Sequence, residues 1–481
     1  MPSLRLTIAK NSNQQQRTIV LVSIPDLNNA SSAIVSEEMI QFKGRIIQFA
    51  KTKLRLIKAC RVFLADGSEV GGGDLGVWRR IENDGVILVS AGEDFIGTQK
   101  IQTNTDDIPL TILAHHVEID PLATSQLKAL CKLGGVVRVA GMPDLHPGNR
   151  FPIGAVVVCE GCAYPALVGS DVGCGMSLFT TQLAFNLFPE KTAQKIRGIE
   201  GPWLEGCTTD WLAKGDVSPT PFDDQLGTVG AGNHFAEIQV VEHVEDEVLL
   251  RDLGIDVGKA LLLVHSGSRA LGPSILAKHA STATVPLTHP SSELTAYLSD
   301  HNMAMRWASR NRDLIAQRLL SCLNTSPERK VLDICHNWME MVSTDTQTQF
   351  IHRKGAAPSD RGLCVIPGSR GSFSYLFLPN PTAQPHTANS LAHGAGRTTP
   401  RKKALASLPL KYGKTPQAME GLRRTHLGSV VVCDEKDLLY EEAPECYKEV
   451  DSVVKDLVEA NVGRVIATLR PVVTYKVRKM S

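Results

Sequence analysis

Leu261-Leu262-Leu263-Val264-His265-Ser266-Gly267-Ser268-Arg269 passes from an apolar run straight into a polar, glycine-containing turn. The four apolar residues read as a buried strand, because a strand covered on both faces shows no polar alternation. The histidine that ends it stands at a strand terminus, where α/β sheets often bind ligands. Ser266, Ser268 and Arg269 beside it suit an anion; a core histidine bonded to backbone is the plain alternative. Residues 155–159 form a second apolar run, and Val136, Val137 and Val139 supply a third strand, interrupted by Arg138. Residues 294–323 have a long helical pattern with a break expected near Asp300. Residues 445–460 have another, with Val450, Val453, Val454 and Leu457 on one stripe. Residues 281–292 and 379–387 read as loops. This mixture predicts an α/β (α+β) domain over 108–481.

Four further glycine-rich or polar segments present metal-capable side chains. They are Ser170-Asp171-Val172-Gly173-Cys174-Gly175, Gly230-Ala231-Gly232-Asn233-His234-Phe235, Cys335-His336-Asn337 and His393-Gly394-Ala395-Gly396-Arg397. Asp, Cys and neutral His all ligate divalent metals, and adjacent glycines let backbone N–H groups approach an anion. Asp171 and Cys174 can reach one ion from a tight turn, and a thiolate can bridge two; a buried Cys in a glycine turn is the alternative. Asn233 and Glu237 suit a nucleobase edge or a phosphate, or are solvated polar residues. His336 falls in 330–341, which has a helical look, where a lone His is more often structural. His393 lies in a glycine turn near Arg397, Arg401, Lys402 and Lys403. A histidine there can attack phosphorus while Arg397 neutralises charge; a basic surface loop is the bland reading. Met142-Pro143-Asp144-Leu145-His146-Pro147-Gly148 adds an Asp and a His, and 367–375 adds hydroxyls in a glycine loop. Tyr447 and Lys476 could supply a stacking ring and a phosphate cation.

The chain has 481 residues, too many for one ordinary core. Its 51 Lys and Arg against 50 Asp and Glu leave a formal charge of +1, so bulk charge gives no argument for a nucleic-acid partner. Eleven scattered cysteines, no apolar signal core over 1–17 and no bilayer-length apolar run fit a reduced intracellular setting, cytoplasmic with the nucleus left open, and no membrane partner. Cys159-Glu160-Gly161-Cys162 has no second pair and reads as a turn between strands.

Residues 1–97 read as a separate unit, with 98–107 as a polar linker. Two strands over 4–9 and 18–22, a helix over 37–54, a strand over 61–64, a helical turn over 74–80 and a strand over 85–90 give the order ββαβ(α)β. Cys60-Arg61-Val62-Phe63-Leu64 through Asp66-Gly67-Ser68-Glu69, with 85–93, resembles doublecortin-like ubiquitin-fold domains. The resemblance implies a small β-grasp interaction module with a protein partner.

The motifs at 142–148, 170–175, 230–235, 265–269 and 393–397 resemble, in order, those of the RtcB family of RNA-splicing ligases, over nearly four fifths of the chain. The resemblance implies GTP-dependent joining of an RNA 3′-phosphate or 2′,3′-cyclic phosphate to a 5′-hydroxyl. It implies two Mn²⁺ ions, one on Asp171, Cys174 and His234 and the other on Cys174, His265 and His336. It makes His393 the nucleophile that carries GMP. By the same resemblance, Asn233, His234, Phe235, Ala236, Glu237, His336, Asn337, Pro367, Gly368, Ser369, Arg370, Ser374, Gly394, Ala395, Gly396, Tyr447 and Lys476 line the guanylate site with His393. An archease-type activator is a further implied partner. Asn149-Arg150, Arg370, Phe373 and Pro400 depart from the usual family pattern, and these departures bear on RNA choice. The rivals to a ligase are a metal phosphoesterase that opens the cyclic phosphate without sealing, and a non-catalytic RNA- or protein-binding scaffold.

Overall fold

The computed structural model describes residues 3–12, 14, 16–23, 32–71, 75–83, 85–95, 108–280, 284–343, 347–382 and 384–479. The chain divides into two compact units, Met1–Gln102 and Thr103–Ser481. The expected linker at 98–107 lies outside the described residues.

In the first unit, Ser3–Lys10 pairs antiparallel with Arg17–Ser23 on one side and parallel with Val86–Ser90 on the other; Arg61–Leu64 closes the far edge. The helix Ser32–Lys53 starts earlier than its apolar spacing predicts. Its stripe of Met39, Phe42, Ile46 and Ala50 is fully buried against Leu6, Ile8, Val62 and Ile87, the i, i+3/i+4 face that helical periodicity requires. The second helix is a single turn, Leu75–Trp78.

The second unit is built on two sheets. The larger runs, edge to edge, Arg329–Cys335, Gly175–Ala184, Lys259–Ser266, Phe235–Val244, Gly463–Val477, Ser374–Pro379 and Cys364–Pro367, with Val430–Cys433 joined to Gly463–Val477. Only that last pairing is parallel; the others are antiparallel. The architecture is therefore α+β rather than a wound parallel sheet. The second sheet runs Asn337–Ser343, Thr348–Lys354, Ile153–Glu160, Val136–His146 and Leu110–Ile112. The helix Ser292–Ser321 places Ile315, Ala316, Leu319 and Leu320 in one core with Ile238, Leu262 and Val264 of the larger sheet.

Three local expectations are corrected. The helix does not break at Asp300, whose carboxylate leaves the axis to meet Lys278 and His279, each at 2.7 Å. The segment 330–341 is not helical: one flank joins the larger sheet and the other the smaller, leaving His336 between them. The last helix begins at Val450 and not at residue 445, because Pro444–Cys446 forms a separate 3₁₀ turn. The third strand extends through Asp144 to His146, so the motif at 142–148 sits on a strand end. Within 281–292, residues 281–283 lie outside the described residues and Leu287–Thr288 pairs with Cys162–Ala163. No helix among the described residues is long and apolar enough to cross a membrane.

Phe42→Ala, which empties the centre of the first unit's core, is expected to cost about 3–5 kcal/mol. Chemical denaturation followed by circular dichroism checks this.

Candidate active site

Strand register assembles the site. Gly175 pairs with Ser266 on one side and with Cys335 on the other, and His265 pairs with Phe235. Cys174, His234, His265 and His336 therefore occupy one end of four neighbouring strands. Their ligand atoms converge. Cys174 Sγ lies 3.3 Å from His234 Nε2 and 3.2 Å from His265 Nε2. His265 Nε2 lies 3.2 Å from His336 Nε2, and Asp171 Oδ2 lies 2.8 Å from His234 Nε2. The ligand atoms of Cys174, His234 and His265 all fall within 4.8 Å of one another, and the three residues are buried.

The chemistry of this donor set fits a cation. His234 Nδ1 lies 3.1 Å from the Val229 carbonyl, a partner for its N–H when Nε2, which faces Asp171 and Cys174, is given to a cation. Burial holds His265 and His336 well below the usual imidazole range, so both stay neutral. Burial, with Asp171 nearby, pushes the Cys174 thiol well above its usual range. A dication would reverse that, since coordination deprotonates a thiol. The buried cluster could bind a metal.

His393 stands beside it. The His336 and His393 rings are 4.7 Å apart, centroid to centroid. Asp144, fully buried, accepts from both His393 Nδ1 at 2.5 Å and His393 N at 3.1 Å through one oxygen, Oδ2. The Lys448 ammonium donates to the Pro143 and Leu145 carbonyls at 3.0 and 2.8 Å, fixing the backbone on both sides of Asp144. Gly396, at φ +72°, lies so close that a Cβ there would sit 2.2 Å from the Asp144 carbonyl oxygen.

Further buried polar side chains gather around Lys476, which acts electrostatically on His265, Glu237 and Glu442. Glu237 accepts from Gln239 at 2.7 Å and from the Thr474 hydroxyl; Gln239 also donates to Ser374 at 2.8 Å. Burial pushes Glu237 up to about 7. Glu442 meets Arg397 at 3.0 Å, Lys476 at 3.7 Å and the Tyr447 hydroxyl. Burial opposes its charge, but Lys476, Arg397 and Arg401 hold it below the usual carboxylate range. The Arg397 guanidinium lies 4.9 Å from the Tyr447 ring centroid. The Pro367 carbonyl accepts from Ala395 N at 3.1 Å, joining the serine loop to the His393 loop. Ser369 and Ser372 hydroxyls bond each other at 3.1 Å, and Asn337 accepts from Gly355 N at 2.8 Å. Asn233 and Phe235 flank His234 and are half-buried. Asp144 Oδ1, Gln239 Oε1, Ser268 Oγ, Arg269 Nε and Arg370 Nη1 are buried without a hydrogen-bond partner. So many orphaned polar atoms suit a polar ligand.

Three residues escaped the sequence reading. Arg312, fully buried on the helix Ser292–Ser321, donates to the Gly173 carbonyl at 2.8 Å, the Ser266 carbonyl at 3.0 Å and Asp333 at 2.6 Å. It thereby joins the backbone before Cys174 to the backbone after His265. Asn311, beside it, donates to Ser266 Oγ and the Gly267 carbonyl and accepts from Gly227 N. Glu442 is the third. Conversely, Cys159 and Cys162 only flank a turn, as expected.

A buried cation-ready cluster beside an anchored histidine defines a site suited to phosphate chemistry. The family model described as "tRNA-splicing ligase RtcB" matches residues 126–201 and 216–477. "RNA-splicing ligase RtcB2" of Escherichia coli is 41% identical over 376 residues, covering 77% of this chain and 96% of the relative. "RNA-splicing ligase RtcB" from another Escherichia coli strain is 28% identical, covering 77% and 98%. "tRNA-splicing ligase RtcB" of Methanococcus maripaludis is 27% identical, covering 73% and 90%. The chain belongs to the RtcB family and is a ligase by that membership. The family match begins at residue 126, so the first unit lies outside it.

Arg312→Ala would take from Asp333 its buried guanidinium partner, leaving it Lys330 at 3.6 Å and the Ser177 and Ser309 hydroxyls, and would free the carbonyls of both ligand-bearing turns. Loss of one partner of such a buried pair is expected to destabilise the protein by about 3–5 kcal/mol. Thermal unfolding, together with metal content after dialysis, checks it.

Proposed function

We propose that this enzyme joins an RNA 3′-phosphate or 2′,3′-cyclic phosphate to a 5′-hydroxyl, in RNA splicing or repair, consuming GTP through a guanylate held on His393. The observation that carries the reading is the bond from His393 Nδ1 to Asp144 at 2.5 Å. It holds the ring proton on Nδ1 and leaves the Nε2 lone pair free for phosphorus. The P–N bond forms as the bond to pyrophosphate breaks. GMP then moves to the RNA 3′-phosphate, His393 is released, and the 5′-hydroxyl displaces GMP as the phosphodiester forms. A cyclic phosphate needs opening by water before it can accept GMP.

Asp171, Cys174 and His234 would hold one manganese ion and Cys174, His265 and His336 a second. Metal bound there neutralises the phosphate charge that a nucleophile must approach. Thiolate and imidazole donors suit zinc equally; manganese follows the family resemblance. Asn233, Glu237, Asn337, Ser369, Ser374, Tyr447 and Lys476 are the groups proposed to hold the guanylate. The first unit, with its first and last strands paired parallel under one helix, is read as a ubiquitin-like module that recruits a protein partner. The proposed setting is cytoplasmic or nuclear, with an archease-type activator as a further partner.

Incubation with RNA carrying 3′-phosphate and 5′-hydroxyl ends, GTP and Mn²⁺ should yield joined RNA. Opening of cyclic phosphate with no joining would instead establish a phosphoesterase. Asp144→Asn should slow guanylate transfer to the enzyme by roughly 10²-fold or more, by loss of the oriented tautomer.

Glu237 becomes a carboxylate only as pH rises through about 7, and only then can both its oxygens accept from a base edge. GTP affinity of the His393→Ala variant should therefore rise between about pH 6 and about pH 8. Glu237→Gln should flatten that rise in equilibrium binding measurements.

A further inference from the structure

The strand Arg17–Ser23 is an edge of the first unit's sheet, and no described strand pairs with its outer side. Exposed edges are ordinarily protected by charge, proline or a bulge. Between Arg17 and Ser23 this one has only Thr18-Ile19-Val20-Leu21-Val22, with neither charge nor proline. Val20 and Val22 face the helix and are buried, while Ile19 and Leu21 are 57% and 71% exposed on the open face. Between this edge and the helix Ser32–Lys53 lies a cleft of about 290 Å³, lined by Leu21, Val22, Ser23, Arg45, Gln48 and Phe49. Arg45 Nε and Nη2 are buried there and have no hydrogen-bond partner. An unprotected edge thus runs beside an apolar cleft that contains unmatched cationic donors.

We propose that this edge takes up an extended segment of another protein as an added strand. Alternate side chains of an added strand point to opposite faces. One set covers Ile19 and Leu21; the other enters the cleft beside Val22 and Phe49 and brings a carboxylate to Arg45. A carboxylate is the group that satisfies both guanidinium donors at once. A second copy of the same strand is the poorer occupant, since 17–23 contains no acidic residue. The surface lies outside the family match, so the inference is independent of the ligase reading.

The test is selection of a phage-displayed random peptide library on the full-length protein, followed by anisotropy with the synthetic winning peptide. Enriched peptides should alternate apolar residues with an Asp or Glu. Arg45→Glu should weaken binding about tenfold, as should replacing the peptide carboxylate by its amide, and the two changes together should cost little more than either alone. Far-UV circular dichroism and the thermal unfolding profile of full-length Arg45→Glu should match the wild type, which shows that the variant's first unit is folded. No enrichment, or binding indifferent to Arg45→Glu, overturns the proposal. A reversible dimer in sedimentation, abolished by Leu21→Lys, overturns it in favour of a second copy.

Discussion

Everything at the site depends on how closely the strand Gly175–Ala184 approaches its neighbour Arg329–Cys335. At Gly175 a Cβ would sit 2.4 Å from the Ile334 carbonyl oxygen, so only glycine allows that approach. With it, the turn ending at Cys174 and the bend at His336 share one sheet end, and His336 N donates to the Cys174 carbonyl at 2.8 Å. His265 and His234 follow from register alone. The helix Ser292–Ser321 then locks the arrangement, because Arg312 and Asn311 bond the turns at 173 and 266–267 from beneath. Donors separated widely in sequence are thereby preorganised, and little ordering is left for a ligand to impose.

The second constraint is Asp144. One of its oxygens holds both the backbone and the ring of His393. Lys448 and Gly396 keep its own backbone in place. The histidine is thus fixed relative to both sheets, since Asp144 lies near the end of a strand of the smaller one and His336 bridges the two. A tilted ring contact with His336 places the histidine next to the cluster without making it a member of it.

Much of this was legible in the sequence. The run at 261–264 announced a buried strand with His265 at its end, and the glycine turns marked Asp171, Cys174, His234 and His393 as chemistry-bearing. The segment around His336 reads as helical because Val331, Leu332, Ile334, Trp338, Met339 and Met341 are compatible with a helix; pairing of the two flanks into different sheets decides otherwise. The bond between Asp144 and His393 spans 249 residues, and no local pattern reports it. Arg312 left a usable trace: it and Asn311 fall on the buried stripe of Ala304, Ala308 and Ile315. A cation on such a stripe requires partners. Glu442 left none, since its cationic partners Arg397, Arg401 and Lys476 come from segments distant in sequence.

The central claim is that His393, and no other nucleophile, receives guanylate beside the cluster. Tandem mass spectrometry of the protein after incubation with GTP and Mn²⁺ tests it most directly. The account predicts an acid-labile GMP adduct on His393 that is lost in Asp171→Ala and Cys174→Ala. An adduct on a lysine such as Lys476, or none on the metal-loaded protein with RNA joining intact, would contradict it.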